Sequence, residues 1–535
     1  MQRPKLLARL DSFRGVRSTR IALLAIAFSL LTAGSAQAQP VLVLDSHGHA
    51  RRANDPDLPR ADLPVPPRAS AVSASRRARQ DPAQPSGPAF RVSIRDLFNA
   101  GQLDQAAYNR AKNAYNGVKR AYKSATGTRK VNLKAVLDEA DDMSRRGFVT
   151  PQRLNAMSLT LERNRQWWTA GSIPRNGQRI EFSGSEVVWQ YYTNEGIQIQ
   201  QLGNFGKANA LWRDKDEPAL RSLLDELISL SSDRNGAVAF EYFFEFGGGQ
   251  PPWTSGLSQA TALQALGRAT DLTGDPRYRD IATRGLALFE QPPPGGVRVQ
   301  GDVGPHYLIY TFNPDLRVIN AFLQSIIGLY DFAQLTGDPR AQSLYETGEA
   351  EARVETPRYN TGAWSLYSLS RESDLSYHKL TRDFLKRLCD RLGTAVYCDT
   401  ALAFTDQLKT PPQVAPVTRR IRGGKPAQLK FRLTKISRVG VTVLDASGKA
   451  VFATSAVSGY GEKSFTWSTP PLKGGNGYTL RVSAVDLAGN RGETTTGPLR
   501  ILKGKKPKRP RSDDDDGETT EPEPPVEPPS KSPGR

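Results

Sequence analysis

A hexapeptide that occurs twice is the feature that most limits how this chain can fold. The sequence Leu-Thr-Gly-Asp-Pro-Arg occupies residues 272–277 and, 63 positions later, residues 335–340. Each copy follows a stretch of apolar residues at helical spacing. Gly suits the left-handed end of a helix, Asp caps the next helix, and Pro fits its first turn. Repeated helix–turn–helix pairs predict stacked α-hairpins, closed into a toroid or stacked as a solenoid. The alternative is an ordinary helical domain with two similar turns.

Length and composition predict several domains with unpacked ends. The chain has 535 residues, and a single core usually stops growing at about 250–300 residues. The 46 glycines and 38 prolines indicate long segments outside the folded part. Four histidines and two cysteines exclude most His/Cys metal clusters and any disulfide-rich scaffold.

Residues 1–38 have the pattern of a signal peptide. A basic segment precedes the apolar run 21–33, and Ala36-Gln37-Ala38 supplies small residues at a cleavage point. The apolar run is shorter than the roughly 20 residues of a transmembrane helix. We therefore expect a secreted or extracytoplasmic protein that begins near Gln39, with an uncleaved membrane anchor as the alternative.

Two flanking segments are predicted to be disordered. Residues 39–89 form a leader rich in Pro, Ala and Arg, and residues 503–535 form a charged tail. Much of the net charge of +19 lies in these segments rather than on a periodic surface. They are interpreted as solvated tails, and no nucleic-acid partner is expected. In an alternative interpretation, the tails attach the protein to an acidic polymer at the cell surface.

Three folded regions are expected between these ends. Residues 90–179 are predicted to be helical, and residues 180–402 form the main helical domain with the repeated turn. Residues 411–502 change to strand periodicity, with alternating apolar residues such as Leu429, Phe431 and Leu433. The segment 485–490 resembles bacterial immunoglobulin-like modules, which implies a β-sandwich. Because such a sandwich has its own core, a chain ending near Lys409 is expected to remain folded and active.

The two cysteines, Cys389 and Cys398, are close in sequence. In an exported protein they are predicted to form a structural disulfide. The alternative is a catalytic thiol, which would need a histidine partner and an activating environment.

The predicted helix 317–334 carries a polar stripe beside a wide apolar face. Arg317, Asn320 and Gln324 have the spacing i, i+3 and i+7 and therefore share one side. On an outer helix this stripe would face solvent. On an inner helix it would line a cavity with a cation and two amides, which suits a carboxylated sugar. Periodicity alone leaves both interpretations open.

Four blocks of sequence occur in the order of a known family. They are Pro-Trp-Thr-Ser-Gly-Leu-Ser-Gln at 252–259, Asn-Ala-Phe-Leu-Gln-Ser-Ile-Ile-Gly-Leu-Tyr-Asp at 320–331, Tyr-Asn-Thr-Gly-Ala-Trp-Ser-Leu-Tyr at 359–367 and Tyr-His at 377–378. Residues 235–402 thereby resemble the C-terminal catalytic domain of the D-glucuronyl C5-epimerases, with a fainter likeness at 196–200. The resemblance implies an (α/α) toroid that inverts uronic acids within heparan-type polysaccharides.

The resemblance also implies site residues. Three tyrosines match the catalytic positions, and the matched or neighbouring polar residues are substrate-binding candidates: Tyr310, Tyr367 and Tyr377; Asn320, Gln198, Arg371, Gln324, Arg317 and His378. Arg371 lies one position later than the arginine of the family. Gln324 stands where the family has a substrate-facing tyrosine, and Ile309 where it has an acid. His378 has a local hydrogen-bond role as its alternative.

The family chemistry explains these residue types. The C5 hydrogen of a uronate lies α to a carboxylate, so its removal creates an enolate-like dianion, and inversion needs a base and an acid near C5. A tyrosine base, with an ordinary pKa of about 10, needs a neighbouring cation such as Arg371 or Arg317. This route requires no redox cofactor. About 35 residues separate Gln200 from Asn235, too few for the calcium-binding β-domain of the animal enzymes, and no metal site is expected.

The predicted function is therefore an exported uronate C5-epimerase whose partner is a uronic-acid-containing polysaccharide. One alternative is a lyase or a hydrolase on the same toroid, for which Asp302, Glu241 and Glu245 could supply carboxylates. The other is a non-catalytic glycan-binding protein at the cell surface. The sequence carries no signal for an oligomeric state.

Overall fold

The computed structural model describes residues 38–59, 87–470 and 475–502. These residues fall into two compact units. The first contains 38–59, 87–232, 240–252 and 268–278, and the second contains the rest. Most of the predicted signal peptide, residues 60–86 of the predicted leader and the predicted tail lie outside the described residues.

The first unit contains a five-stranded sheet with the order β2-β1-β3-β4-β5. Its strands are β1 (Gln39–Leu44), β2 (Ala50–Asp55), β3 (Arg179–Phe182), β4 (Trp189–Tyr192) and β5 (Gly196–Ile199). β1 pairs with β3 in parallel, whereas the other neighbours are antiparallel.

The prediction of a disordered leader was wrong for residues 39–55, which form β1 and β2. The side chains of Val41 and Val43 pack with Leu58 and Val188 in a small buried cluster. The apolar run from Val41 to Leu44 thus buries one face on the rest of the unit, although the leader as a whole is rich in Pro, Ala and Arg. Composition averaged over the whole segment does not reveal a strand as short as this one.

Six helices accompany this sheet in the first unit. They are α1 (Phe90–Asn99), α2 (Gln105–Ser124), α3 (Gly127–Arg145), α4 (Pro151–Ala170), α5 (Gln201–Asp214) and α6 (Glu217–Ser229). The buried amide of Asn164 on α4 donates to Ile197 O at 2.7 Å and accepts from Ile197 N at 2.8 Å, which fixes α4 to β5. The predicted boundary between residues 179 and 180 therefore falls inside the sheet, and β3–β5 belong with the N-terminal helices.

The remaining helical elements lie mainly in the second unit, while α7 and α8 each continue across the division. The helices are α7 (Gly256–Thr273), α8 (Pro276–Gly285), α9 (Ile319–Thr336), α10 (Pro339–Glu355), α11 (Leu375–Leu392) and α12 (Ala395–Gln407). Short two-stranded sheets connect them: β6 (Ser232–Arg234) with β7 (Ala237–Ala239), β8 (Arg298–Gln300) with β9 (Pro305–Tyr307), and β10 (Leu366–Ser368) with β11 (Arg371–Glu372). Single 3-10 turns lie at Leu286–Phe289 and Thr356–Tyr359.

The repeated hexapeptide forms the same turn twice. Gly274 and Gly337 both have left-handed backbones, with φ of 68° and 69°. In the second copy, the Asp338 carboxylate accepts the backbone N–H groups of Arg340 and Ala341 at 2.9 and 3.0 Å. In the first copy, Asp275 accepts from the N–H of Arg277 at 3.0 Å. The helix–turn–helix prediction is confirmed at both positions, whereas closure of the helices into a toroid stays a prediction.

Two β-sheets enclose the C-terminal core of the second unit. Their strands are β12 (Val414–Pro416), β13 (Arg420–Arg422), β14 (Pro426–Leu433), β15 (Ser437–Leu444), β16 (Ala450–Ser458), β17 (Gly461–Ser468), β18 (Gly475–Asp486) and β19 (Arg491–Leu502). The sheets have the orders β12-β14-β17 and β13-β19-β18-β15-β16. Phe431 of the first sheet and Val441 of the second are fully buried in one shared cluster. We call this region the sandwich; its immunoglobulin-like character stays a prediction.

A disulfide joins Cys389 on α11 to Cys398 on α12. The bond encloses a short loop that contains the left-handed Gly393 at the end of α11. It therefore links two consecutive helices near the turn that joins them. Among the described residues, no helix combines the length and the apolar composition of a membrane span.

The disulfide gives a first prediction. A thiol titration of the denatured, unreduced protein should find no free thiol. Because the cross-link limits the freedom of the unfolded chain, its reduction should lower the free energy of unfolding by about 2–3 kcal/mol. Denaturant unfolding with and without reductant measures this loss. The double variant Cys389→Ser/Cys398→Ser should show the same loss and no further response to reductant. Free thiols in the unreduced protein would contradict the pairing.

Candidate active site

Helix α9 is an inner helix. Almost every side chain from Ile319 to Ala333 is buried, including the polar Asn320 and Gln324. Asn320 has no exposed surface, and in the described structure neither its Oδ1 nor its Nδ2 has a hydrogen-bond partner. An unsatisfied buried amide is costly and rare in a native protein, which makes Asn320 a candidate for contact with a ligand. Gln324 makes only long contacts, from Nε2 to Thr261 Oγ1 at 3.4 Å and to Gln264 Oε1 at 3.5 Å.

Arg317 differs from its predicted position on the polar stripe. It precedes α9, which begins at Ile319, so the helical spacing assumed for residues 317–334 does not extend to it. Its guanidinium donates to Glu355 Oε1 at 2.7 Å and to Gln300 O at 2.9 Å. Glu355 also contacts His306 Nδ1 at 2.9 Å. Burial alone would raise the Glu355 pKa, but His306 and Arg317 lower it overall. The guanidinium of Arg317 is thus committed to a buried carboxylate.

Two of the predicted tyrosines and Arg371 lie together. Tyr367 is on β10 and Tyr377 is in the first turn of α11, and their ring centroids are 4.7 Å apart. The exposed Arg371 on β11 places its Cζ 5.3 Å from the centre of the Tyr367 ring. The Asp374 carboxylate caps α11 by accepting the N–H of Tyr377 at 2.9 Å. Local capping and strand pairing therefore bring these three side chains into one cluster.

This cluster lies beside the start of the inner helix. The backbone of Val318, the residue before α9, forms an isolated β-bridge with Ser368. Since Ser368 follows Tyr367 and Asn320 is in the first turn of α9, the bridge joins the two backbone segments that carry the tyrosine cluster and the unpartnered amide. We call Asn320, Tyr367, Arg371 and Tyr377 the tyrosine site.

The electrostatics of the two tyrosines differ. Burial raises the pKa of Tyr367, while the charge of Arg371 and an interaction with the Tyr377 hydroxyl oppose the increase. Burial, Tyr367 and Asp374 together hold the pKa of Tyr377 far above its ordinary value. Tyr367 is therefore the better placed of the two to ionise, and Tyr377 stays a neutral hydrogen-bond donor.

Tyr310 is held in a different aromatic group, on the loop between β9 and α9. It stacks on Phe312 with ring centroids 5.0 Å apart and meets the edge of Trp253 at 5.5 Å. The loop is fixed by the N–H of Thr311, which donates to Thr254 O at 3.1 Å, and by the N–H of Thr254, which donates to Thr311 Oγ1 at 3.2 Å. The half-buried phenol is positioned by these neighbours.

Gln198 lies on β5 in the first unit. Its Nε2 donates to Glu139 Oε2 at 3.0 Å and to Glu195 O at 2.6 Å. Burial raises the pKa of Glu139 well above its ordinary value and that of Glu195 to about 7. The amide of Gln198 is thus occupied within its own unit, by the carboxyl group of Glu139 and the backbone carbonyl of Glu195. No group of three or more His, Cys, Asp or Glu side chains in the described part of the chain is arranged to hold a metal ion.

Comparison with known proteins identifies one segment of the chain. Residues 233–406 match the family described as D-glucuronyl C5-epimerase C-terminus. This segment belongs to that family. The epimerase-family segment contains the tyrosine site and all of the predicted site residues except Gln198, which precedes it.

Two curated relatives align with parts of the chain. A D-glucuronyl C5-epimerase of Caenorhabditis elegans is 33% identical over 132 residues, which are 22% of this chain and 21% of that protein. An uncharacterised protein of Methanocaldococcus jannaschii is 28% identical over 169 residues, 30% of this chain and 54% of that protein. The aligned stretches thus span about a fifth and about half of these relatives.

Solved structures show weaker likeness. An unsaturated glucuronyl hydrolase from Bacillus sp. GL1 is 19% identical with a TM-score of 0.30, covering 39% of this chain and 61% of that one. A family 8 endoglucanase from Klebsiella pneumoniae is 13% identical with a TM-score of 0.29, covering 38% and 68%. Scores of this size do not establish a shared fold, and the hairpin architecture rests on the helices themselves.

His378, predicted to bind substrate, has a structural role within the epimerase-family segment. It has no exposed surface and stacks on Trp364 with ring centroids 3.7 Å apart. Nδ1 contacts Ser365 Oγ at 2.8 Å, and Nε2 contacts the carbonyl oxygen of Phe404 at 2.9 Å. Because both ring nitrogens have protein partners, the local hydrogen-bond role explains this residue.

Sequence reasoning missed three side chains that contact or adjoin predicted site residues. Trp253 and Phe312 pack on Tyr310, and Glu372 follows Arg371 on β11. Trp253 was within the matched block 252–259, so the motif already contained the signal for it. Phe312 and Glu372 carry no distinctive local pattern.

Glu241, considered for hydrolysis, pairs with Arg153 at 2.6 and 3.1 Å, which explains its burial.

The buried His378 predicts a pH dependence of stability. Burial lowers its pKa from 6.5 to about 4. Between these values the unfolded chain binds a proton that the folded protein excludes, so stability is present above about pH 6.5 and is lost as the pH falls toward 4. The loss should be on the order of 3 kcal/mol.

Denaturant unfolding from about pH 4 to pH 7 for the wild type and His378→Gln tests this. The non-titrating variant should be less stable at neutral pH but should lose much less stability on acidification. Parallel pH profiles for the two proteins would contradict the assignment.

Proposed function

We propose that this protein is an exported C5-epimerase that converts D-glucuronate to L-iduronate residues within a polysaccharide. The tyrosine site is the observation that carries the proposal: two touching tyrosines, a cation over one of them and an unpartnered buried amide on the adjoining helix. Membership of residues 233–406 in the epimerase C-terminal family supports the same chemistry.

In the proposed first step, Tyr367 is the base. Its phenolate removes the C5 proton, and the electron pair of the broken C–H bond moves into the uronate carboxylate to form an enolate-like dianion. Arg371, 5.3 Å from the Tyr367 ring, favours the phenolate and then neutralises the charge that develops on the sugar. The neutral Tyr377 hydroxyl interacts with that of Tyr367, which stabilises the ionised form.

In the proposed second step, a neutral phenol returns a proton to C5 from the opposite face. Tyr310 is assigned this role because it is the third tyrosine that matches a catalytic position of the family, and Trp253 and Phe312 pack on its ring. The electron pair of the enolate forms the new C–H bond, so no glycosidic bond breaks and no oxidant or reductant is consumed. The two phenols then regain their starting protonation states by exchange with water.

Substrate binding is assigned to the buried amides of the inner helix. Asn320 has an unused donor and an unused acceptor, and the long contacts of Gln324 can be exchanged for better ones. Neutral amides that bind sugar hydroxyls or the carboxylate would orient C5 beside Tyr367. The partner proposed on this basis is a uronic-acid-containing polysaccharide.

Two observations support export. β1 begins at Gln39, so removal of residues 1–38 would leave the five-stranded sheet complete. The Cys389–Cys398 disulfide suits an oxidising compartment. Mass spectrometry of the mature N-terminus tests this part of the proposal.

Incubation with a glucuronate polymer in heavy water tests the activity. The wild type should introduce deuterium at C5 and leave the chain length unchanged. Tyr367→Phe and Tyr377→Phe should each abolish exchange, because one lacks the base and the other the hydroxyl that supports it, while circular dichroism stays the same. NMR of the recovered polymer gives the measurement. New unsaturated ends would indicate a lyase, and retention of polymer without exchange would indicate a binding protein.

A matched pair of arginine variants tests the assigned cation. Arg371→Lys keeps the charge but loses the planar fork, so it should lower kcat by about 10²–10³-fold. Arg317→Lys disturbs the ion pair with Glu355 and should lower thermal stability with little change in kcat. Since Arg371 opposes the raised pKa of Tyr367, Arg371→Met should also shift the rising part of the pH–rate profile to higher pH. The reverse pattern of kcat effects would make Arg317 the partner of the intermediate.

A further inference from the structure

The two-stranded sheet that carries the tyrosine site is very small. β10 has three residues and β11 has two, and the described pairing is limited to Leu366 with Glu372 and Ser368 with Arg371. Two ladder pairs and a register shift give little stability to a strand pair in isolation. The positions of Tyr367 and Arg371 therefore depend on whatever else holds these strands.

Glu372 on β11 connects these strands to the sandwich through two hydrogen bonds. Its Oε1 accepts the N–H of Ile436 at 2.7 Å, and its Oε2 accepts the N–H of Tyr460 at 2.8 Å. Ile436 immediately precedes β15, and Tyr460 lies between β16 and β17. Each oxygen of this buried carboxylate thus binds a backbone amide from a different loop of the sandwich. Carboxylate hydrogen bonds of this kind are stronger than neutral ones.

Lys435, next to Ile436, reinforces the same junction. Its ammonium is almost completely buried, pairs with the buried Asp486 at 2.6 Å, and donates to the carbonyl oxygens of Gln407 at 2.8 Å and Thr410. It also lies 5.2 Å from the centre of the Trp364 ring, which stacks on His378. Through Lys435 the sandwich therefore binds the end of α12 and contacts the ring of Trp364, two residues before β10. The amide of Asn490 adds a further bond, to Leu408 O at 2.9 Å.

We infer that the sandwich is a positioning element of the proposed active site and that Glu372 is the positioning residue through which it acts. By fixing β11, Glu372 holds the neighbouring Arg371 over Tyr367. This inference rests on the proposed function and assigns the sandwich a part in it. It also replaces the expectation that a chain ending near Lys409 stays active, because such a chain would leave Glu372 without either amide partner.

The test uses Glu372→Gln in the full-length protein. A carboxamide has one acceptor oxygen, so one of the two sandwich amides would lose its acceptor and face an NH₂ group instead. A displacement of about 1 Å can cost about 10²-fold in rate, so kcat for C5 exchange should fall by about that factor. KM for the polymer should change by less than about 2-fold, because Asn320 and the other binding groups are not altered.

Two controls separate positioning from general stability. Glu493→Gln removes an exposed carboxylate 3.6 Å from Arg481 on the sandwich surface and should leave kcat unchanged. Val482→Ala opens a cavity in the sandwich core and should lower the melting temperature without lowering kcat at temperatures where the protein is folded. If Val482→Ala reduces kcat as much as Glu372→Gln does, or if Glu372→Gln raises KM alone, the positioning role is wrong.

A second measurement does not depend on catalysis. Amide hydrogen exchange of the peptide covering 366–372 should be faster in Glu372→Gln by about tenfold or more, while peptides from the sandwich core keep their protection. If the wild type exchanges no C5 hydrogen, the proposed function fails, and this measurement still decides whether the sandwich holds the strands. Unchanged protection of 366–372 overturns the inference, as does lost protection with unchanged kcat.

Discussion

Burial of helix α9 along residues 319–333 is the constraint on which the helical part of the second unit depends. A helix that is buried over most of its length needs neighbours on nearly every side, and it gains them only if the surrounding backbones come very close. Gly328 shows how close: a Cβ at this position would lie 2.3 Å from the carbonyl oxygen of Ala260 on α7. The same enclosure leaves the amide of Asn320 with no exposed surface and no hydrogen-bond partner among the described residues, which is the observation behind its proposed role in binding. The burial of α9 therefore underlies both the close helix packing and the unpartnered amide of the tyrosine site.

Local sequence patterns predicted the features that are stabilised locally. The repeated hexapeptide gave two turns of the same geometry, because glycine conformation and aspartate capping are determined within a few residues. Alternation along Leu429, Phe431 and Leu433 gave a strand with one buried face, since strand periodicity reports directly on burial. Periodicity could not decide whether Asn320 and Gln324 face a cavity or solvent. That depends on which helices surround α9, and the structure makes it an inner helix.

The errors arose where a distant residue determines the outcome. Arg317 was assigned to a helical stripe, but it precedes the helix and its guanidinium pairs with Glu355. His378 was a substrate-binding candidate with a local hydrogen-bond role as its alternative, and its contacts with Ser365 and Phe404 fit that alternative. Glu372 was overlooked because its partners follow it by 64 and 88 positions, in a region that the sequence separates from the helices. The family motifs partly made up for this, because they indicated together residues that are distant in sequence.

The position of β1 within its sheet affects the order in which the first unit can be built. This strand comes from the start of the described chain, yet it lies between β2 and β3, and Val41 stands opposite Arg179. Its hairpin partner β2 follows it directly in the chain. The partner of its other edge, β3, lies more than a hundred residues later and can pair only after that part of the chain has been synthesised. Until then β1 presents an unpaired edge beside apolar side chains, which is the kind of surface that other chains can join. Completion of the sheet by β3 thus removes a temporary risk of aggregation.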